Sequence, residues 1–355
     1  MHSRSRDAKP AFPLASAAVL LTTLALAGCA AGPNFKPPPP PKVGSYTRHA
    51  LANPEGTPGV AAGGAQHFQQ GGDVAGDWWT LFHSQALDAL VGEALENNHD
   101  LKAAQAALRA AHESVLAQRG TFFPSVSAGF SASRQNASNI LAPVPNFPAV
   151  PQEFLYSLFT PQLTISYAPD LFGLNRRTLE QMRAQEQAVR FQTLAARTTL
   201  ITNVVATAVE EASLREQVQA TRKLIALQQH SLDILRLRFR KGDASKLDVA
   251  AQRAQLAQTK VGLPTLVKQL AATRHALAVL VGAFPAQARA QDFTLADLHL
   301  PENLPVSLPS KLVAQRPDVR QARANLHAAS AAIGVAAAER LPNLELTADA
   351  GSTAL

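Results

Sequence analysis

Apolar and polar residues change their spacing several times along this chain, and each change predicts an element. Leu81, Leu87, Leu90, Val91 and Leu95 fall on one face of a helix that starts near Asp77-Trp78-Trp79. Asn97-Asn98-His99 interrupts it, and Asp100 stands where it can cap a following alanine-rich helix to about Arg119. Between Ser125 and Ser133 the period drops to two: Val126, Ala128, Phe130 and Ala132 alternate with serines and Gly129. The alternation returns over Gln162–Ala168, where Leu163, Ile165 and Tyr167 oppose Gln162, Thr164 and Ser166. A Pro/Asn/Ser-rich stretch (134–160) separates the two, which predicts a hairpin with one apolar and one small polar face. On the strands alone that pattern favours a soluble hairpin with a wet face over a membrane barrel lined by water.

From Leu174 to about Phe239 there is no proline or glycine, enough for a helix of roughly 100 Å. Val218, Ile225, Leu232 and Phe239 recur every seven residues, with Leu214, Leu224, Leu227 and Leu235 nearby, so the helix needs a partner to cover this seam. The partner follows at once. Arg240-Lys241-Gly242-Asp243-Ala244-Ser245 supplies a basic last turn, a glycine exit and a serine cap with Asp248 three residues on. A second helix then spans Lys246 to about Val281, bent at Pro264 and ended by Gly282 through Pro285. Residues 286–317 read as loop-rich and 50–76 as an irregular strap.

After Arg316-Pro317, residues 318–350 repeat residues 100–132 at a constant offset of 218. Asp100/Asp318, Ala104/Ala322, Leu108/Leu326, Ala111/Ala329 and Pro124/Pro342 match, and both copies run helix, proline, strand. The third strand is expected at about Asn343–Gly351. The pattern reads as one long unit followed by the opening of a second, with roughly 150 residues needed to complete it.

Composition adds an address. Arg4, Arg6 and Lys9 precede an apolar run, Ala11–Ala27, too short to span a bilayer and of signal-peptide length. The run ends Leu26-Ala27-Gly28-Cys29, a lipobox-like sequence that makes Cys29 a lipidation site; an ordinary signal peptide with an incidental cysteine is the plainer alternative. Gly32 to Pro41 is a stiff proline-rich spacer. Net charge is +7, of which Arg4, Arg6 and Lys9 against Asp7 supply +2. The remaining basic residues are spread along helices without interleaved aromatics, which argues against a nucleic-acid partner. The histidines lack metal-ligand spacing, no nucleophile or phosphate-loop motif is present, and Glu210-Glu211 reads as a solvated helix face. Neither an enzyme nor a metal or other cofactor is expected.

Six motifs in order resemble the outer-membrane efflux channel family, in its TolC-like, NodT-type lipoprotein branch. They are Leu26–Cys29 with Gly32-Pro-Asn-Phe-Lys-Pro37; Asp77-Trp78-Trp79; Tyr167-Ala-Pro-Asp170-Leu-Phe-Gly173; Arg238–Val249; Leu277-Ala-Val-Leu-Val-Gly282; and Arg316-Pro-Asp-Val-Arg320. The resemblance implies a mainly α fold with a β-hairpin: a long antiparallel helical hairpin from an α-barrel, plus transmembrane β-barrel strands, in an incomplete tandem repeat.

It also implies a homotrimer in the outer membrane, extending into the periplasm and working with a periplasmic adaptor and an inner-membrane RND-type pump. The function implied is passive export of small molecules such as drugs and toxic compounds. Cys29 would carry the palmitate-type anchor, the only covalent group expected. Arg238, Gly242, Ser245, Leu247 and Asp248 would form the hairpin tip that docks on the adaptor; they also serve simply to cap two helices.

The organisation expected is a signal peptide (1–28), a lipidated strap (29–76), entry helices (77–120), a barrel hairpin (121–170), a periplasmic helical hairpin (171–285), a connector (286–317) and the start of a second repeat (318–355). A lipid-anchored coiled-coil adaptor or scaffold is the alternative of a different class. An adaptor also carries a long hairpin, but neither the repeat nor the two-faced strands.

Overall fold

The computed structural model describes residues 30–39, 48, 51–57, 64–72, 74–138, 153–286, 294–307 and 309–354, which are mainly helical. They divide into two units, one made of residues up to Pro37, Ala110–Ala188 and Arg323–Leu355, the other of Pro38–Arg109 and Val189–Ala322.

In the second unit the expected single helix from Trp78 is two elements. Trp78–Phe82 is a 3-10 turn ended by His83 at φ 51°. The tight turn sets Trp78 edge-on to Trp79 and Phe82, with ring centroids 6.5 and 6.2 Å apart. Ser84 then restarts the chain: its hydroxyl accepts the Leu87 amide and begins α1 (Gln85–Asn97). Leu87, Leu90, Val91 and Ala94 form the buried face of α1. They join Leu200, Ile201, Val204, Val205 and Ala208 of α3 (Leu174–Arg240) and Leu277 of α4 (Lys246–Leu280) in one core. Each buried Leu or Val contributes roughly 1.5–3 kcal/mol here. Arg197 lies over the Trp79 ring at 6.0 Å and closes the core's edge.

The cap of α2 (His99–Gly120) is Asn98, not the expected Asp100. Asn98 Oδ1 accepts the Leu101 amide at 2.9 Å, while its Nδ2 donates to the Leu280 carbonyl at 3.0 Å, so one buried side chain also ties α2 to the end of α4. Asn98→Ala is expected to cost about 2–3 kcal/mol, from the lost cap and an orphaned carbonyl. Asp100→Ala should cost a few tenths, the loss of a first-turn charge. Thermal unfolding followed by helix ellipticity separates the two.

Helix α3 ends within a residue or two of expectation, and α4 runs unbroken through Pro264. Of the heptad residues, Val218 and Leu232 are buried, Ile225 is half-buried and Phe239 is exposed. Leu214, Val218 and Leu270 pack together with Leu263 and Leu266, so α4 covers one side of the seam. Leu224, Leu227, Ile234 and Leu237 remain exposed on the other.

Glu211 overturns the solvated-face expectation. Its side chain is 1% exposed and bridges the hairpin: Arg274 Nε of α4 donates to Oε1 at 2.8 Å, and Arg215, one turn along α3, donates to Oε2. Pairing on two sides is what lets a carboxylate sit there.

The strap and connector regions hold a parallel ribbon that alternation did not reveal, β1 (His67–Gln70) against β4 (Asn303–Val306). A 3-10 turn at Leu295–Asp297 and α5 (Pro309–Gln315) complete the connector.

In the first unit, β2 (Ser125–Ser138) and β3 (Glu153–Tyr167) are antiparallel and longer than expected, taking in much of the stretch read as loop. Residues 139–152 of that stretch lie outside the described residues. β5 (Leu346–Gly351) follows α6 (Pro317–Glu339) and pairs antiparallel with β3, giving the order β2-β3-β5. It begins at Leu346 rather than Asn343. Asp170 joins sheet to helix: its carboxylate accepts the Asn175 and Arg176 amides and Arg176 Nε, each at 3.0 Å, which caps α3.

Candidate functional site

Two surfaces carry the features singled out in the sequence. The first is the sheet. Cross-strand pairing gives the rows Val126–Ile165–Ala348, Ala128–Leu163–Ala350, Phe130–Pro161 and Ala132–Phe159. One face is therefore wholly apolar over these rows. Among the described residues it is also uncovered: Val126 is 64% exposed, Phe130 70% and Leu346 53%, and Phe130 stacks on Phe159 with centroids 6.5 Å apart. The opposite face reads Ser125–Ser166–Thr347, Ser127–Thr164–Asp349 and Gly129–Gln162–Gly351. Its hydrogen bonds run sideways across strands. Thr164 Oγ1 donates to Asp349 Oδ1 at 2.6 Å, and Gln162 Nε2 donates to the same oxygen at 3.2 Å. Such a sheet fits between an apolar phase and water.

The second surface is the turn between α3 and α4. The Asp243 amide donates to the Arg238 carbonyl at 2.9 Å and the Gly242 amide to Phe239 at 3.1 Å, the paired bonds of a Schellman motif. Gly242 supplies the left-handed residue this requires, at φ 88°. Ser245 Oγ accepts the Asp248 amide at 3.1 Å while Asp248 Oδ2 accepts the Ser245 amide at 2.9 Å, a reciprocal capping box. These bonds to Ser245 hold the Asp248 carboxyl below the usual carboxylate range. Arg238, Gly242, Ser245, Leu247 and Asp248 thus share one tight turn on which Leu247 is 77% exposed, and the sequence around it carries Arg238, Arg240, Lys241 and Lys246 with Asp243 and Asp248. Cys29 lies outside the described residues.

Sequence reading missed a third arrangement, around Arg177 at the start of α3. Its guanidinium is buried and donates to the backbone carbonyls of Ala31 and Gly32, at the start of the Gly32–Pro37 motif. No local pattern marks it, because donor and acceptors lie about 145 residues apart.

Residues 90–283 match the family described as outer membrane efflux protein. The chain is 33% identical over 279 residues to the pyoverdine export outer membrane protein OpmQ of Pseudomonas putida, covering 78% of this chain and 58% of that one. It is 31% identical over 337 residues to the probable efflux pump outer membrane protein TtgC of the same species, covering 94% and 65%. Nodulation protein T of Rhizobium leguminosarum is 26% identical over 340 residues, covering 94% and 63%. The chain therefore spans between 58% and 65% of the length of these relatives. Among solved structures, the Campylobacter jejuni CmeC outer membrane channel superposes with a TM-score of 0.74 at 21% identity, covering 92% of this chain and 70% of that one. The open-state MtrE channel of Neisseria gonorrhoeae gives 0.66 at 21% identity, covering 92% and 72%. Those likenesses carry the fold, and the match over residues 90–283 carries the kinship: the chain belongs to the outer membrane efflux protein family.

Proposed function

We propose that the protein is a channel subunit of a tripartite efflux system, letting small molecules pass passively from periplasm to exterior. The observation that carries this is the uncovered apolar face of β2-β3-β5 with its hydrophilic reverse. From Phe159 to Tyr167 the apolar side of β3 runs about 27 Å over nine residues, near the roughly nine to eleven residues a tilted strand needs to cross the hydrocarbon core. Among the described residues the outer edges of β2 and β5 are unpaired in this sheet, and lipid does not tolerate open edges. A closed barrel with strands from further copies, a homotrimer in this reading, satisfies them. The two helix–proline–strand segments before β2 and β5 are then equivalent parts of a repeat.

In the same reading Cys29 bears the lipid anchor, and no catalysis occurs at this subunit. The α3–α4 turn docks on a periplasmic adaptor that links it to an RND-type pump. Physical support for docking is an exposed Leu247 on a charged turn whose backbone is already held by the Schellman bonds and the capping box.

Expression with adaptor and pump, in cells lacking their own outer-membrane efflux channel, should restore export of a fluorescent pump substrate. Unchanged accumulation with the protein recovered in the inner membrane rejects the proposal. Cys29→Ala, or globomycin, should block lipoprotein processing; unaltered processing and fractionation remove the anchor from the reading. Leu247→Asp should abolish adaptor cross-linking while leaving helix content intact, because the capping box does not use that side chain. Retained cross-linking would assign the turn a capping role alone.

A further inference from the structure

Arg177 sits on the first turn of α3 with its side chain 6% exposed, against Gly334 of α6. Its Nε donates to the Ala31 carbonyl at 2.9 Å, and Nη2 donates to the Gly32 carbonyl at 3.1 Å and Asn34 Oδ1 at 2.9 Å. Nη1 donates to Glu180 Oε2 at 2.7 Å. A planar five-donor group suits four acceptors arranged this way; an ammonium does not. The rest of the segment is fitted as closely. The Ala31 amide donates to the Phe172 carbonyl at 3.0 Å, and Phe35 stacks on His327 of α6, with centroids 4.4 Å apart and planes 13° apart. His327 Nε2 in turn donates to Glu180 Oε1 at 2.9 Å.

Backbone crosses backbone at the centre. A Cβ on Gly32 would lie 2.4 Å from Gly334 Cα, and Gly32 holds φ 85°. Only glycine fits there. Contacts with Phe172, then Gly334, then His327 trace the Ala31–Phe35 segment along α6 away from the sheet.

We propose that Arg177, with Glu180 and His327, is a docking site for the Ala30–Phe35 segment, a latch that fixes where the N-terminal anchor meets the fold. The clause about the anchor rests on the lipidation reading of Cys29; the latch does not. Arg177 acts as a positioning residue. Docking spends a buried guanidinium on main-chain carbonyls, which makes it selective for backbone path and for Asn34 rather than for neighbouring side chains.

Acid should release it. Burial alone pushes the Glu180 carboxyl up, but hydrogen bonds from His327 and Arg177 and their charge outweigh this and hold it below the usual carboxylate range. Arg177 faces it from its own helix and His327 from α6, and the docked segment contributes the neutral Ala31 and Gly32 carbonyls and the Asn34 amide to Arg177. A depressed carboxyl contributes stability at pH above its unfolded value and loses it as pH falls through the lower folded value. Docking is thus expected to persist through the ordinary carboxylate range and to fail only at more acid pH.

The test is hydrogen exchange of the 30–35 segment in the full chain purified in detergent, with α3 residues 201–208 as internal reference. Wild type and Cys29→Ala should both show a protected Ala31 amide. Arg177→Ala, Arg177→Lys and Gly32→Ala should raise its exchange about tenfold or more, with the reference unchanged. Asn34→Ala, which removes an acceptor on the segment without touching a helix, should give an intermediate rise. Wild-type exchange in both Arg177→Ala and Asn34→Ala, or an unprotected Ala31 in wild type, overturns the latch. Loss of membrane anchoring in Cys29→Ala with Ala31 still protected, or its absence, bears on the lipid alone.

Discussion

Replacing Arg215 and Arg274 together by methionine should lower the thermal midpoint of the helical signal by on the order of 10 °C. The reason is what remains. Glu211 is 1% exposed, and each of its oxygens is held by one arginine. Methionine keeps much of the packing of both stems and removes only the charges, so a carboxylate is left buried without a partner. Breaking a buried pair from one side typically costs about 3–5 kcal/mol. The reverse deletion should be far milder. Glu211→Met leaves two arginines, of which Arg274 is half-exposed and can turn its head to water. About 1 kcal/mol or less is expected. The triple variant should recover most of what the double variant loses, since it substitutes an apolar contact between α3 and α4 for the ionic one. If the triple variant is as unstable as the double, the arginines act through packing rather than charge.

Range in sequence decides what could be read beforehand. The hairpin turn was legible because its grammar is local: Gly242, Ser245 and Asp248 act within a few residues of each other, and the structure realises each bond. The faces of β2 and β3 were legible because alternation needs no partner. Helix α3 was legible from an uninterrupted run with a heptad seam. By contrast, Glu211 reads as surface until Arg274 arrives from 63 residues away. The β1–β4 ribbon pairs segments separated by more than 230 residues, with no alternation to mark them. Asn98 and Asp100 are equally good caps by composition; the carbonyl of Leu280 chooses between them. The Gly32–Pro37 motif was visible as a string, but its physical cause, a buried guanidinium and a crossing glycine, belongs to α3 and α6.

An arginine at Leu163 should cost about 2–4 kcal/mol of folded, membrane-inserted protein if the apolar face of the sheet meets lipid, and the same residue at Ser127 should cost little. The two positions are close neighbours in the sheet, on opposite faces. Leu163 sits on β3 between Ala128 and Ala350, in the middle of the apolar rows, where a guanidinium finds neither water nor a counter-ion. Ser127 lies in the row of Thr164 and Asp349, a polar surface already carrying a carboxylate. The contrast is measured as the outer-membrane fraction resistant to added protease, or as the temperature at which the protein unfolds on a gel. A soluble hairpin with one wet face makes a different forecast. Its apolar side would be covered by protein, and Leu163→Arg would then expose the chain to proteolysis without shifting it from membrane to soluble fractions. Equal tolerance at both positions would remove the membrane from the account altogether. If the sheet closes a barrel as proposed, its polar row of serines, threonines and the hydrogen-bonded Asp349 faces the interior, and Asp349→Asn should then move charge selectivity while leaving insertion unchanged.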